Sequence, residues 1–358
     1  MGELFIKCLT EYAEYLCFFT NFLKGWGSEK MKRKTVEYGK YGYMFIAPFF
    51  LVFLVFQLYP LIYTFYLSFV KYRMVNGQWI EPEFCGFDNY MSILTKRDFK
   101  TNTTVWFDTI PMNTIKNTLI MWVINFIPQI LLALLLAAWF TDTVVKLKGQ
   151  GAFKVMMYLP NIITAASISV LFYNLFCGGT ADQSGPIAGL LRDAGIIAED
   201  FNFMQSKAGT VGLIGFMNFW MWYGNTMIVL IAGILGINPS LYEAAMVDGA
   251  SSKQQFFSIT IPLLKPILQF TLVTSAIGGL QMYDIPALFN TSQGVGMPGR
   301  VSHTVTMMVR EYAFSTNPDY GKAGAISVIL FLFTLLISLV FFALTRDREP
   351  KQKHAVIR

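Results

Sequence analysis

Six apolar runs, each roughly 20 residues or longer, decide most of what this chain can become. They lie near Gly42–Val70, Asn117–Phe140, Phe153–Cys177, Thr210–Gly236, Ile267–Phe289 and Ala323–Leu344. A bilayer core is crossed by about 20 helical residues. In lipid, a spanning segment must satisfy its backbone polar groups internally, which leaves helices as the form for runs of this kind. Charged residues make up only 14% of the 358-residue chain and mean hydropathy is +0.47, whereas soluble domains carry about 25% charge. The expected fold class is an all-α integral membrane protein, a six-span helical bundle.

Orientation follows from lysine and arginine, which concentrate on the cytoplasmic side of membrane proteins. Lys30-Met-Lys-Arg-Lys34 precedes the first run, and Arg346-Asp-Arg-Glu-Pro-Lys-Gln-Lys353 follows the last. Both ends therefore read as cytoplasmic. Threading six spans between them puts the polar segment 240–266 inside, together with the majority of the 28 basic residues. The net charge of +6 has its source in this bias. No basic run is interleaved with an aromatic platform of the kind that binds nucleic acid.

Three regions follow: residues 1–40, a membrane body 41–346 and a cytoplasmic tail 347–358. Within the first, Leu4, Phe5, Cys8, Leu9, Tyr12, Leu16 and Phe19 gather on one helical face and Glu3, Lys7, Glu11 and Glu14 on another. That pattern predicts an N-terminal amphipathic helix lying in the membrane interface. Its uninterrupted apolar part is too short for a seventh span.

Several chemistries are excluded. His303 and His354, with Cys8, Cys17, Cys85 and Cys177, show no metal-ligand spacing. Cys85 and Cys177 fall on the same outer side, so a disulfide between them is allowed. No GxxxxGK[ST] occurs, so the chain has no P-loop for a nucleotide. No catalytic residue is assigned, and a membrane enzyme finds no nucleophile–base pair near a span.

The segment 240–266 carries the most information. Ser240-Leu-Tyr-Glu243 fits a capping box with Ser240 as N-cap. Asp248-Gly249 closes the short helix, and Ser251-Ser-Lys-Gln254 offers a second cap. Pro262 and Pro266 are expected to break the helix before span five. The product is helix, glycine turn, helix, with Ala244, Ala245 and Ala250 leaving a low surface.

As a string, Glu243, Ala244, Ala245, Asp248, Gly249, Ala250, Phe256, Ile259, Pro262 and Pro266 closely resemble the EAA loop of ABC importer permeases. Ala47-Pro-Phe-Phe, Leu58-Tyr-Pro-Leu-Ile-Tyr-Thr-Phe-Tyr-Leu-Ser-Phe69 and Gly86-Phe-Asp-Asn-Tyr90 resemble the MalF-like carbohydrate-uptake branch. So do Gly185-Pro-Ile-Ala-Gly-Leu-Leu191 and Tyr320–Leu330. The chain departs from that branch after span five, where the usual L-T-x-G-G-P is replaced by Phe289–Pro298.

This resemblance implies a type I ABC importer permease in a prokaryotic cell membrane. It would import a sugar, an oligosaccharide or a related polyol or glycerol-phosphate. The implied partners are a second, homologous permease, two ABC ATPases that bind ATP and Mg, and an external solute-binding protein. Glu243, Ala244, Asp248 and Gly249 would seat the loop in a cleft of the ATPase, with Ala245, Ala250, Phe256 and Pro262 completing it. Spans four and five would line the cavity.

Those spans carry Asn218, Trp220, Trp222, Tyr223 and Asn225, and Thr274, Gln281, Tyr283 and Asp284. Aromatic faces with amide and hydroxyl groups suit sugar rings. The competing reading is an aromatic belt for Trp220 and Tyr223 and interhelical hydrogen bonds for Asn218 and Asn225. In span six, Gly321, Ala325, Ala323 and Ser327 repeat small residues every four positions, a close-packing face.

Two rivals stand beside the sugar importer. An importer of the same class could carry a non-sugar solute. An ion-coupled secondary transporter would need ionisable groups inside its spans, where Asp284 is the sole candidate. It would also show broken helices in an inverted repeat, of which the sequence gives no sign.

Overall fold

A computed structural model describes residues 39–97, 103–142, 148–178, 185–289 and 298–345. The expected N-terminal interfacial helix, the C-terminal tail and most of the divergent segment after span five lie outside the described residues. The chain divides at Pro60 into two units.

The first unit holds α1 (Gly39–Phe53) and a π-turn at Leu54–Leu58, while α2 (Tyr59–Ser68) lies mostly in the second. One continuous helix runs from Tyr41 to Ser68. Tyr43, Phe45 and Phe56 are among its many exposed apolar side chains.

In the second unit, β1 (Val70–Lys71) pairs antiparallel with β4 (Glu83–Phe84), and β2 (Met74–Val75) with β3 (Gln78–Trp79). The Asn76-Gly77 turn joining β2 to β3 has φ of 51° and 79°, the doubly left-handed turn that matches strand twist in a tight hairpin. After α3 (Asp88–Leu94), β5 (Thr95–Arg97) pairs with β6 (Thr104–Trp106).

The bundle follows: α4 (Ile110–Thr141), α5 (Gln150–Ile162), α6 (Ala165–Cys177), α7 (Pro186–Asp193) and α8 (Lys207–Leu235). The short α9 (Pro239–Val247) and α10 (Ser252–Gln255) lead through a second π-turn (Phe256–Thr260) into α11 (Ile261–Leu280). α12 (Asp284–Phe289), α13 (Val305–Phe314) and α14 (Tyr320–Thr345) complete it. Among the described residues five helices are long and apolar enough to span a membrane, and six spans result if α5 and α6 count as one.

Two expectations about spans change. Span two starts at Ile110 rather than Asn117, because Thr109 caps it, its hydroxyl accepting from Met112 N at 3.3 Å, with proline in the first turn. Span three is not straight: α5 and α6 meet at 90°. Pro160 lacks the N–H a continuing helix would use, Ile163 is extended, and Thr164 caps a new helix by accepting from Ser167 N. Asn161 ties the break to α8 by donating to the Met221 carbonyl at 3.3 Å.

α8 is the central helix. Its upper half shares one apolar core with α4, α6 and α12 through Met121, Phe126, Ile168, Met217 and Phe289. Its lower half shares another with α4 and α11 through Ala133, Phe140, Met227 and Leu264. The small-residue face of span six lies inside the chain, since a β-carbon at Gly321 would sit 2.2 Å from the Val70 carbonyl oxygen. Cys85 and Cys177 are both free thiols.

The coupling loop and a central cavity

The helix Pro239–Val247 begins differently from expectation. Asn238, not Ser240, is its N-cap, with Oδ1 accepting from Ser240 N at 3.1 Å, and Pro239 takes the first helical position. Proline's fixed φ suits that position, so the cap moves two residues upstream. Glu243 has no capping role and is exposed.

The helix closes in a Schellman motif: Gly249 N donates to Met246 O at 3.0 Å and Ala250 N to Ala245 O at 2.9 Å. Gly249 stands at φ +77°, where glycine avoids the β-carbon penalty. The second cap appears as expected. Gln254 N donates to Ser251 Oγ while Ser251 N donates to Gln254 Oε1 at 2.8 Å, a complete capping box.

Pro262 and Pro266 do not break the helix. One helix runs from Ser252 to Leu280, because the π-turn at Phe256–Thr260 widens it where the Pro262 ring would strike the Ser258 carbonyl. Tyr242 Oη and Thr260 Oγ1, 2.9 Å apart, hold the short helix against that turn. Glu243, Ala244, Asp248, Gly249 and Pro262 are exposed, Ala245, Ala250 and Phe256 are half-buried, and Val247 is 88% exposed. The loop thus presents a low, rigid surface with an acidic and an apolar part.

At mid-bundle a cavity of 470 Å³ lies between α4, α8 and α11. Asn218, Trp222, Asn225, Thr274, Gln281, Tyr283 and Asp284 all line it. Trp220 does not: its ring packs 5.6 Å from that of Phe172, within the apolar core. Helical geometry explains the split, since positions 218, 222 and 225 share one face and 220 lies on the opposite one. Tyr223 also turns inward to the core, its hydroxyl 3.4 Å from Met157 Sδ. Asn218 donates to the Ile214 carbonyl of its own helix, at 2.9 Å.

Two wall residues went unforeseen. Asn125 and Gln129 of α4 line the cavity and are buried. Both are amides one turn apart inside an apolar run, a signal the sequence carried once span two was allowed to contribute. Thr226 and Ser275 add hydroxyls. Among the described residues the lining holds one carboxylate, Asp284, and no Lys or Arg. Arg310 lies just behind it, 5.3 Å from the Tyr283 ring centroid.

Between α13 and the loop that precedes it lies a second polar group. Glu311 accepts from both guanidinium nitrogens of Arg300, at 3.0 and 3.3 Å, and lies 3.2 Å from His303 Nε2. His303 is 1% exposed. Burial pushes its pKa below the usual 6.5 and Arg300 adds to this, while Glu311 pulls the other way.

Residues 117–354 match the family model for the binding-protein-dependent transport system inner membrane component. The chain is 30% identical to the lactose transport system permease protein LacF of Rhizobium radiobacter, over 86% of this chain and 95% of that one. It is 30% identical to the arabinooligosaccharides transport system permease protein AraP of Bacillus subtilis (85% and 88%), and 28% identical to the trehalose/maltose permease MalF of Thermococcus litoralis (87% and 95%). A chain of a bacterial ABC transporter that imports the acidic polysaccharide alginate superposes with a TM-score of 0.65 at 22% identity, over 88% of this chain and 99% of that one. The fold is therefore that of a type I ABC importer permease, and the chain belongs to the family of binding-protein-dependent transport system inner membrane components.

Proposed function

We propose that this subunit forms half of the pathway of an ATP-driven importer for a sugar or short oligosaccharide. The observation that carries the reading is the cavity. Aromatic faces at Trp222, Phe270 and Tyr283 stand among the amides of Asn125, Gln129, Asn225 and Gln281 and the hydroxyls of Thr274 and Ser275. A sugar presents C–H faces to the first and a fringe of hydroxyls to the second. Several relatives bear the names of sugar permeases, which supports the same reading.

Energy comes from outside the chain. Glu243, Ala244, Ala245, Asp248, Gly249 and Ala250, backed by Phe256 and Pro262, dock onto an ABC ATPase that binds ATP and Mg. A second permease completes the cavity, and a solute-binding protein delivers the sugar to the outer face, as a periplasmic protein does in the alginate transporter. Both termini are cytoplasmic, in keeping with the basic flanks of spans one and six.

The test is a mild-detergent purification of the tagged chain, with partners identified by mass spectrometry, followed by uptake of labelled sugars in proteoliposomes. Recovery of a P-loop ATPase and a second permease, lost on changing Glu243 and Gly249, is the expected result. A chain recovered alone under conditions that preserve other complexes would refute it.

A further inference from the structure

Two successive glycines, Gly278 and Gly279, occupy the last turns of α11 beside the cavity. Glycine is a poor helix former, so each needs a reason. Gly279 has one: a β-carbon there would sit 2.0 Å from Cδ1 of Trp122, so its bare backbone lets the indole pack. Gly278 has none of that kind. Among the described residues outside its own helix backbone, nothing lies within 4 Å of where its β-carbon would be, and its backbone is ordinary helix.

What Gly278 touches is empty space. It is exposed, it lines the cavity, and on a helical projection it falls near the centre of the cavity face, between Thr274 and Thr271. Any side chain placed there would project past those two polar groups into the volume facing Trp222 and Asn225.

Resting on the sugar reading above, we propose that Gly278 is a size-determining residue of the pathway: its missing side chain sets the largest sugar the cavity admits. The polar groups around it fix what kind of ligand enters, and Gly278 fixes how bulky that ligand is.

The test uses the whole importer, reconstituted in proteoliposomes with its second permease, ATPases and binding protein. Uptake is measured for a labelled series of neutral mono- to tetrasaccharides of glucose, galactose and arabinose. Gly278→Ala and Gly278→Leu are compared with wild type, and Gly278→Cys is labelled with a membrane-impermeant maleimide with and without the transported sugar.

The expected result is graded. Gly278→Leu loses uptake of the largest transported sugar by roughly tenfold or more relative to the smallest, Gly278→Ala falls between, and sugar slows labelling of Gly278→Cys. Equal loss across the whole series, or none, overturns the proposal. So does failure to recover an assembled Gly278→Leu complex, which would make the position a packing contact with a partner. A wild-type complex that assembles but moves no sugar of the series overturns the sugar reading itself, and the size role with it.

Discussion

Nε2 of Gln129 donates a 2.7 Å hydrogen bond to Oγ1 of Thr226, joining α4 to α8 across a buried wall of the cavity. Thr226 also donates to the Trp222 carbonyl at 3.3 Å, so a residue that faces the cavity is held by a two-step chain. A buried partner left alone costs about 1–3 kcal/mol, and polar pairs inside membranes measure about 0.6–1.7 kcal/mol. Thr226→Val is therefore expected to lower the thermal stability of the detergent-solubilised chain by about 1 kcal/mol. The double variant with Gln129→Leu should recover part of the loss. Strictly additive melting shifts in that cycle would dismiss the bond as an energetic link.

Gly249 separates backbone strain from docking. At φ +77° an L-residue pays about 1–2 kcal/mol, less for asparagine, and among the described residues beyond its chain neighbours no atom lies within 4 Å of its β-carbon position. Gly249→Asn is expected to keep wild-type stability, and Gly249→Val to cost about 1–2 kcal/mol. Gly249→Asp should insert normally yet lose uptake, because a charged side chain would stand on the surface proposed to dock the ATPase. Wild-type uptake by Gly249→Asp would sink the coupling assignment.

His303 gives the loop before α13 a pH dependence whose sign is fixed. Its folded pKa lies below the ordinary value of 6.5, so on acidification the unfolded or opened loop takes up the proton first. The neutral, buried state is fully stable above that value and loses stability as pH falls below it. Protection factors of residues 300–314, corrected for the intrinsic pH dependence of amide exchange, should fall below pH 6.5, and that fall should vanish in His303→Gln. Acid-insensitive protection factors in the wild type would contradict the burial argument.

At Gly321 the expectation is severe. The helix passes so close to β1 that a β-carbon would overlap the Val70 carbonyl oxygen and crowd Asn89, whose amide donates to Val70 at 3.0 Å. Gly321→Val is expected to abolish recovery of folded protein from membranes, and Gly321→Ala to reduce its yield markedly. Size-exclusion profiles of the two variants would show it. A monodisperse Gly321→Val chain at normal yield would mean that α14 can shift away from β1.

Much of this was legible in the sequence, for definite reasons. Six spans follow from apolar length alone, and the coupling loop's second cap from the Ser251–Gln254 spacing. The first cap was misplaced at Ser240 because the Ser240–Glu243 spacing matches a capping box, whereas Pro239 initiates the helix and moves the cap to Asn238. The bend in span three was missed because Pro160 sits inside a run whose hydropathy never falters. Trp220 was misassigned because residue type was weighed before angular position. Gln129 was overlooked because its span was not expected to reach the cavity, and that followed from a family resemblance rather than from the residue itself.

The unbroken helix from Ser252 to Leu280 spans roughly 40 Å. At one end it carries the Ser251–Gln254 box and at the other Thr274, Gly278 and the turn to Gln281. A ligand held at one end and a protein pressed on the other bias the same rod. Thermodynamic linkage then makes their effects reciprocal: by whatever factor the docked protein alters affinity in the cavity, cavity occupancy alters the affinity of docking. A flexible joint at Pro262 or Pro266 would shrink that shared factor toward one, the reciprocity itself remaining.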